Sequence, residues 1–107
     1  MTVLTGNLVH HPNHSVLTLR GELDASSPDL ITLAVDTVID TGRQRLTVDV
    51  ADLTFCDSQG LRILLHAERK LTAAGGAMEL THVHGLLGRV LGVTGLAKAF
   101  TITPSTV

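Results

Sequence analysis

A change of hydrophobic period, repeated three times, most constrains what this chain can fold into. Stretches that alternate apolar and polar residues give way to stretches with apolar residues three and four apart, and then return. Leu8–His11 and Val16–Arg20 read as two short strands, with His11-Pro12-Asn13-His14 supplying turn residues between them. Beyond Asp24 the period lengthens. Leu30, Ala34 and Val38, with Ile31, Val35 and Ile39 beside them, recur at helical spacing. Ser26 and Ser27 are candidate N-caps for that helix, Pro28 suits its first position, Asp29 suits its positive end and Gly42 follows as a stop. Leu46, Val48 and Val50 then alternate with Thr47 and Asp49 as a third strand.

The second helix is better marked. Leu61, Leu64, Leu65, Glu68 and Leu71 fall on one face, and Arg62, His66, Arg69 and Lys70 lie largely elsewhere. Asp57 near its start and Arg69 and Lys70 near its end complement the helix dipole, and Gly75-Gly76 closes it. Ala77–Thr81 is a strand with Met78 and Leu80 on one face, a third helix runs from about Gly85 to Val93, and Phe100–Ile102 makes a last short strand. Helices alternating with strands favour a mostly parallel sheet covered by helices, and the N-terminal hairpin adds an antiparallel edge. The expected fold is therefore a single α/β domain over residues 1–107, with a mixed sheet of about five strands and three or more helices.

Composition narrows the function. With 107 residues, 44% of them hydrophobic and 17% charged, the chain has room for one domain and enough apolar side chains to fill its core. A net charge of −2 supplies no basic face, and Phe55 and Phe100 are the only aromatics, so nucleic acid is not an expected partner. Cys56 stands alone, which excludes an internal disulfide and suits a reducing compartment. The first residues show no basic start and apolar run, and no apolar stretch approaches bilayer length. The expectation is a cytoplasmic protein with no membrane partner. With modest net charge and no heptad or long exposed edge, it is also expected to be a monomer when free.

The stretch from Leu46 to Leu61 carries the most chemical information. A strand ends, a short loop follows, and Asp57-Ser58-Gln59-Gly60 opens a helix. In open α/β sheets functional groups gather at the carboxyl ends of strands, where helix N-termini point. Ser58 thus sits where unpaired backbone N–H groups could cradle a phosphate, although by residue type alone serine at that position more often does no more than cap the helix. Ser58, Asp57 and the six histidines do not make a hydrolase, because there is no Gly-x-Ser-x-Gly elbow and no histidine at a spacing that demands proximity. Neither His10, His11 and His14 nor His82 and His84 have the spacing of a known metal site, so these are expected to be solvated. Cys56 beside Phe55 reads as a small buried apolar group, and no glycine-rich nucleotide loop is present. No catalysis, cofactor or metal is expected.

Asp57-Ser58-Gln59-Gly60, preceded by Val48-Asp49-Val50 and followed by Leu61 and Leu64-Leu65, resembles the phosphorylation loop of the STAS family (sulfate transporter and anti-sigma factor antagonist). Gly21-Glu22-Leu23-Asp24 ahead of Ser27-Pro28 is similar to that family's turn into its first helix, and Val93-Thr94-Gly95-Leu96 before Phe100 to its C-terminal signature. The likeness runs from about Leu8 to Ser105. It implies a bacterial anti-sigma factor antagonist that regulates transcription by partner switching. Unphosphorylated, such a protein binds an anti-sigma factor that is also a serine kinase, and frees the sigma factor. The kinase uses its own bound ATP to phosphorylate the loop serine, the antagonist lets go, and a serine phosphatase restores it. By position Ser58 is the implied phosphoacceptor, bordered by Asp57 and Asp24, with Gly60 keeping the loop compact and letting the partner's backbone approach. The implied partner surface comprises Asp24, Ser26, Ser27, the loop Asp57, Ser58, Gln59 and Gly60, and Arg62 and His66 on the second helix. STAS domains also serve as non-switching scaffold subunits of lipid-transport or signalling complexes, which is the alternative. Three features depart from the family pattern: Gln59 in place of a small residue, Arg62 where relatives often carry a small or apolar one, and Gly85, Gly88 and Gly92 in the third helix.

Overall fold

The computed structural model describes residues 3–95, 98 and 100–103. A hairpin of β1 (Thr5–His10) and β2 (Ser15–Leu23) leads into α1 (Leu30–Asp40), β3 (Arg45–Cys56), α2 (Ser58–Ala73), β4 (Ala77–Thr81), α3 (Gly85–Thr94) and β5 (Thr101–Thr103). The five strands lie in the order β1-β2-β3-β4-β5, with β1 antiparallel to β2 and every later pairing parallel. That is the mixed α/β sheet expected from the period changes.

Alternation along the central strands decides which face the helices cover. Leu17 and Leu19 on β2, Leu46, Val48 and Val50 on β3, and Met78 and Leu80 on β4 are buried in one core. The residues between them, Thr18, Thr47, Asp49 and Glu79, stay partly exposed. Ile31, Ala34, Val35 and Val38 of α1 and Leu61, Leu64, Ala67 and Leu71 of α2 close that core. Each large aliphatic side chain buried this way contributes roughly 1.5–3 kcal/mol. On α2 the buried line runs through Ala67. Glu68, expected on the apolar face, is only half-buried and its carboxylate accepts the Thr72 hydroxyl at 2.9 Å. Spacings of four, three and four from Gly60 to Leu71 track a 3.6-residue turn more closely than a line through Glu68 does.

Two strands run further than their alternation shows. β2 continues from Arg20 to Leu23, and β3 from Val50 to Cys56. The β2–β3 register slips between Thr18 and Arg20 and again between Gly21 and Glu22. The first bulge puts two consecutive exposed residues, Ala51 and Asp52, on β3 and the second adds Thr54, so the period of two breaks while the ladder continues. Pairing between β3 and β4 stops at Asp49 and Thr81. The last part of β3 therefore pairs with β2 alone and projects beyond the rest of the sheet.

The start of α1 also differs from expectation. The helix begins at Leu30, and neither Ser26 nor Ser27 caps it, because both hydroxyls are engaged in the preceding turn. In α3, Gly85 is the first residue and has φ +57°, a left-handed conformation that favours glycine, so only Gly88 and Gly92 weaken the helix interior. Leu87 and Leu91 are its buried residues, while Leu86 is 39% exposed. With two anchors against the four of α1, α3 is expected to be the least protected helix in hydrogen exchange; protection equal to that of α2 would contradict this. Of the expected C-terminal signature, Val93 and Thr94 end α3 and Gly95 turns left-handed after it; Leu96 and Ser105 lie outside the described residues.

Candidate functional site

The projecting ends of β2 and β3 bring the two candidate segments together. Leu23 pairs with Cys56, so the Asp24–Ser27 turn and the start of α2 leave the sheet side by side. One residue, Asp57, separates strand from helix. Gly60 makes this close junction possible. A Cβ there would stand 2.4 Å from the Leu23 carbonyl oxygen and 3.0 Å from Cys56 Sγ, well inside van der Waals contact. The backbone that Gly60 admits is thus its own chain's, and Gly60 itself is buried. Leu23 was not legible as a site residue; the available signal was the glycine at an apolar-facing helical position.

Asp57 caps α2: its carboxylate accepts the Gly60 N–H at 2.9 Å, and its carbonyl accepts the Leu61 N–H at 2.9 Å. Ser58 is therefore the first helical residue and not the cap, which removes the simplest structural reason for a hydroxyl there. Ser58 is exposed, and among the described residues its hydroxyl has no hydrogen-bond partner. The N–H groups of Ser58 and Gln59 precede the first intrahelical acceptors and point out of the helix end.

The facing turn is organised by Asp24. Its carboxylate accepts the Ser26 N–H at 2.9 Å and the Ser26 hydroxyl at 2.7 Å, and the Ser27 hydroxyl accepts the Asp24 N–H while donating to the Glu22 carbonyl. The Ser26 hydroxyl, then its N–H, hold the Asp24 carboxyl below its ordinary 3.8. The turn is thus anionic over the neutral pH range. Cys56 is buried, and burial, helped by the neighbouring Asp57 charge, pushes its thiol up to about 12. It stays protonated and is no nucleophile. Gln59, Arg62 and His66 are exposed, and Arg62 and His66 continue the Ser58 side of α2 away from the loop.

The remaining candidates are engaged elsewhere. His10 Nδ1 lies 2.6 Å from the Ser15 hydroxyl, and the His11 and His14 rings stack at 4.8 Å. His82 reaches Asp49 at 3.1 Å and His84 the Ala51 carbonyl at 2.8 Å. Among the described residues no group of three or more His, Cys, Asp or Glu could hold a metal ion, and no helix is long and apolar enough to cross a membrane. The cavity beside the Asp24 turn is only about 60 Å³, whereas one of about 380 Å³ is lined by Pro12, Thr41, Arg43 and Arg45 at the opposite end of β3. The candidate site is a surface, which suits a macromolecule better than a small ligand.

Residues 7–104 match the family model described as Mlab, STAS domain. The chain is 29% identical over 94 residues to an anti-sigma F factor antagonist of Paenibacillus polymyxa, covering 87% of this chain and 80% of that protein. The crystal structure of an anti-sigma factor antagonist from Mycobacterium paratuberculosis superposes with a TM-score of 0.80 at 26% identity, covering 95% of this chain and 86% of that one. SpoIIAA, an anti-sigma factor antagonist, shares the fold in its unphosphorylated form with a TM-score of 0.71 at 23% identity, covering 95% and 90%. The Bacillus protein's phosphorylated form gives 0.70 at 24%, covering 94% and 93%.

Proposed function

The chain belongs to the STAS-domain family, and on that premise we propose that residues 1–107 form one STAS domain acting as an anti-sigma factor antagonist switched by phosphorylation of Ser58. Unphosphorylated, it binds an anti-sigma factor that is a serine kinase carrying ATP, and so releases a sigma factor. Phosphorylation ends the complex and a serine phosphatase resets it. The protein performs no catalysis, needs no cofactor, works in the bacterial cytoplasm and is a monomer when free. The observation that carries this reading is the unengaged Ser58 hydroxyl on the first turn of α2, with Asp57 already serving as cap. Naming of the relatives as anti-sigma factor antagonists supports it.

The partner would contact the Asp24, Ser26 and Ser27 turn, the half-buried Asp57 with the exposed Ser58 and Gln59, and Arg62 and His66. Gly60 acts from beneath by setting the height of the helix against β2. Incubation with ATP and the anti-sigma kinase is the test. Mass spectrometry is expected to find one added phosphate, localised to Ser58, and none on Ser58→Ala. A wild-type protein that binds the kinase stably yet takes no phosphate would instead fit a fixed scaffold subunit.

A further inference from the structure

Arg62 has a place on α2 that simple partner contact does not account for. It follows Ser58 by four residues, one helical turn, and both side chains are exposed. Side chains on a helix lean toward its N-terminus, so a residue at i+4 reaches back over the turn that holds residue i. Among the described residues Arg62 has no hydrogen-bond or ion-pair partner, whereas Lys70 on the same helix is committed to Asp36. Arg62 is also the one cationic side chain of the first two turns, since His66 and Arg69 come later and Arg69 lies about 16 Å from Ser58 along the axis. The groups opposing a phosphate here are the Asp57 carboxylate, held by the Gly60 N–H, the Asp24 carboxylate, held by Ser26, and the half-buried Glu22.

We propose that phosphorylated Ser58 is clasped by Arg62, so that the switch both adds negative charge at Ser58 and withdraws a guanidinium from the partner-facing side of α2. The clasp rests on Ser58 being the phosphoacceptor. A guanidinium forms a planar fork of donors that matches two phosphate oxygens, and pairing favours the dianion over the monoanion. Before phosphorylation the same guanidinium is available to a carboxylate or carbonyl of the partner. The exchange makes each state of Ser58 determine where Arg62 points.

The test needs neither partner nor kinase. Protein with phosphoserine incorporated genetically at position 58 is titrated by phosphorus NMR, reading the second phosphate ionisation, which is near 6 for phosphoserine. Arg62→Gln is expected to raise that ionisation by about 0.3–0.8 pH unit relative to wild type. Arg62→Lys, which keeps the charge without the fork, recovers at least part of the shift. Arg69→Gln, exposed on the same helix but out of reach, leaves the value where it was. An Arg62→Gln shift no larger than that of Arg69→Gln overturns the clasp while leaving the kinase result standing. Failure of a kinase to modify Ser58 removes the switch without altering this titration.

Discussion

Gly60→Ala is expected to destabilise the domain by about 2–3 kcal/mol, although alanine is the better helix former by about 1 kcal/mol. The added Cβ would lie 2.4 Å from the Leu23 carbonyl oxygen, a backbone atom that cannot rotate aside, and 3.0 Å from Cys56 Sγ. Relief requires α2 to lift from the end of β2, which loosens Leu61 and Leu64 in the core. A loss of this size lowers the melting temperature by roughly 10 °C in a domain of this length. The same substitution in α3 should have the opposite sign. A Cβ on Gly88 meets only Val83 at 3.6 Å and one on Gly92 meets nothing within 4 Å, so alanine there should stabilise by about 0.5–1 kcal/mol each. Urea denaturation of the three variants checks both signs. A neutral Gly60→Ala would mean that the β2–α2 junction has slack.

Ser58→Asp is expected to fold normally and to bind the anti-sigma partner a hundredfold or more weakly, with Ser58→Ala binding as wild type does and resisting release by ATP. A phosphate adds a charge of about −1.5 to −2 at neutral pH. At the start of α2 it meets free N–H groups and the positive end of the helix dipole, which stabilise it by about 0.3–2 kcal/mol. Asp24 and Asp57 oppose it, but both are at the surface and screened by salt. The fold should therefore survive phosphorylation. The interface cannot absorb the change so easily. A surface that fits a small hydroxyl must strip the water from a dianion, which costs several kcal/mol and accounts for the lost affinity. Aspartate carries less charge than phosphate, so its effect is a lower bound.

The element order and the parallel sheet were legible because each element keeps a clean period over most of its length. Leu46, Val48 and Val50 alternate, and Leu61, Leu64 and Leu71 repeat at helical spacing. What was lost lay where a long-range contact overrides local pattern. The bulges in the β2–β3 ladder hid the continuation of β3 to Cys56, and with it the fact that no loop beyond Asp57 precedes α2. Ser26 and Ser27 looked like caps by residue type, yet the Asp24 carboxylate and the Glu22 carbonyl claim their hydroxyls. Gly60 was singled out for the loop, but its reason, the Leu23 carbonyl, lies on another strand and has no local signature. The Asp-Ser-Gln-Gly run was thus readable as a helix start, while the way that start is built depended on tertiary pairing.

The central claim is that the state of Ser58 decides partner binding without changing the fold. The most direct measurement is the affinity of the anti-sigma kinase for this protein unphosphorylated and stoichiometrically phosphorylated on Ser58, by titration calorimetry in one buffer, with the melting temperature of each form recorded alongside. The account predicts a loss of at least a hundredfold with melting temperatures that nearly coincide. Equal affinities for the two forms would contradict it and leave a fixed scaffold role in its place.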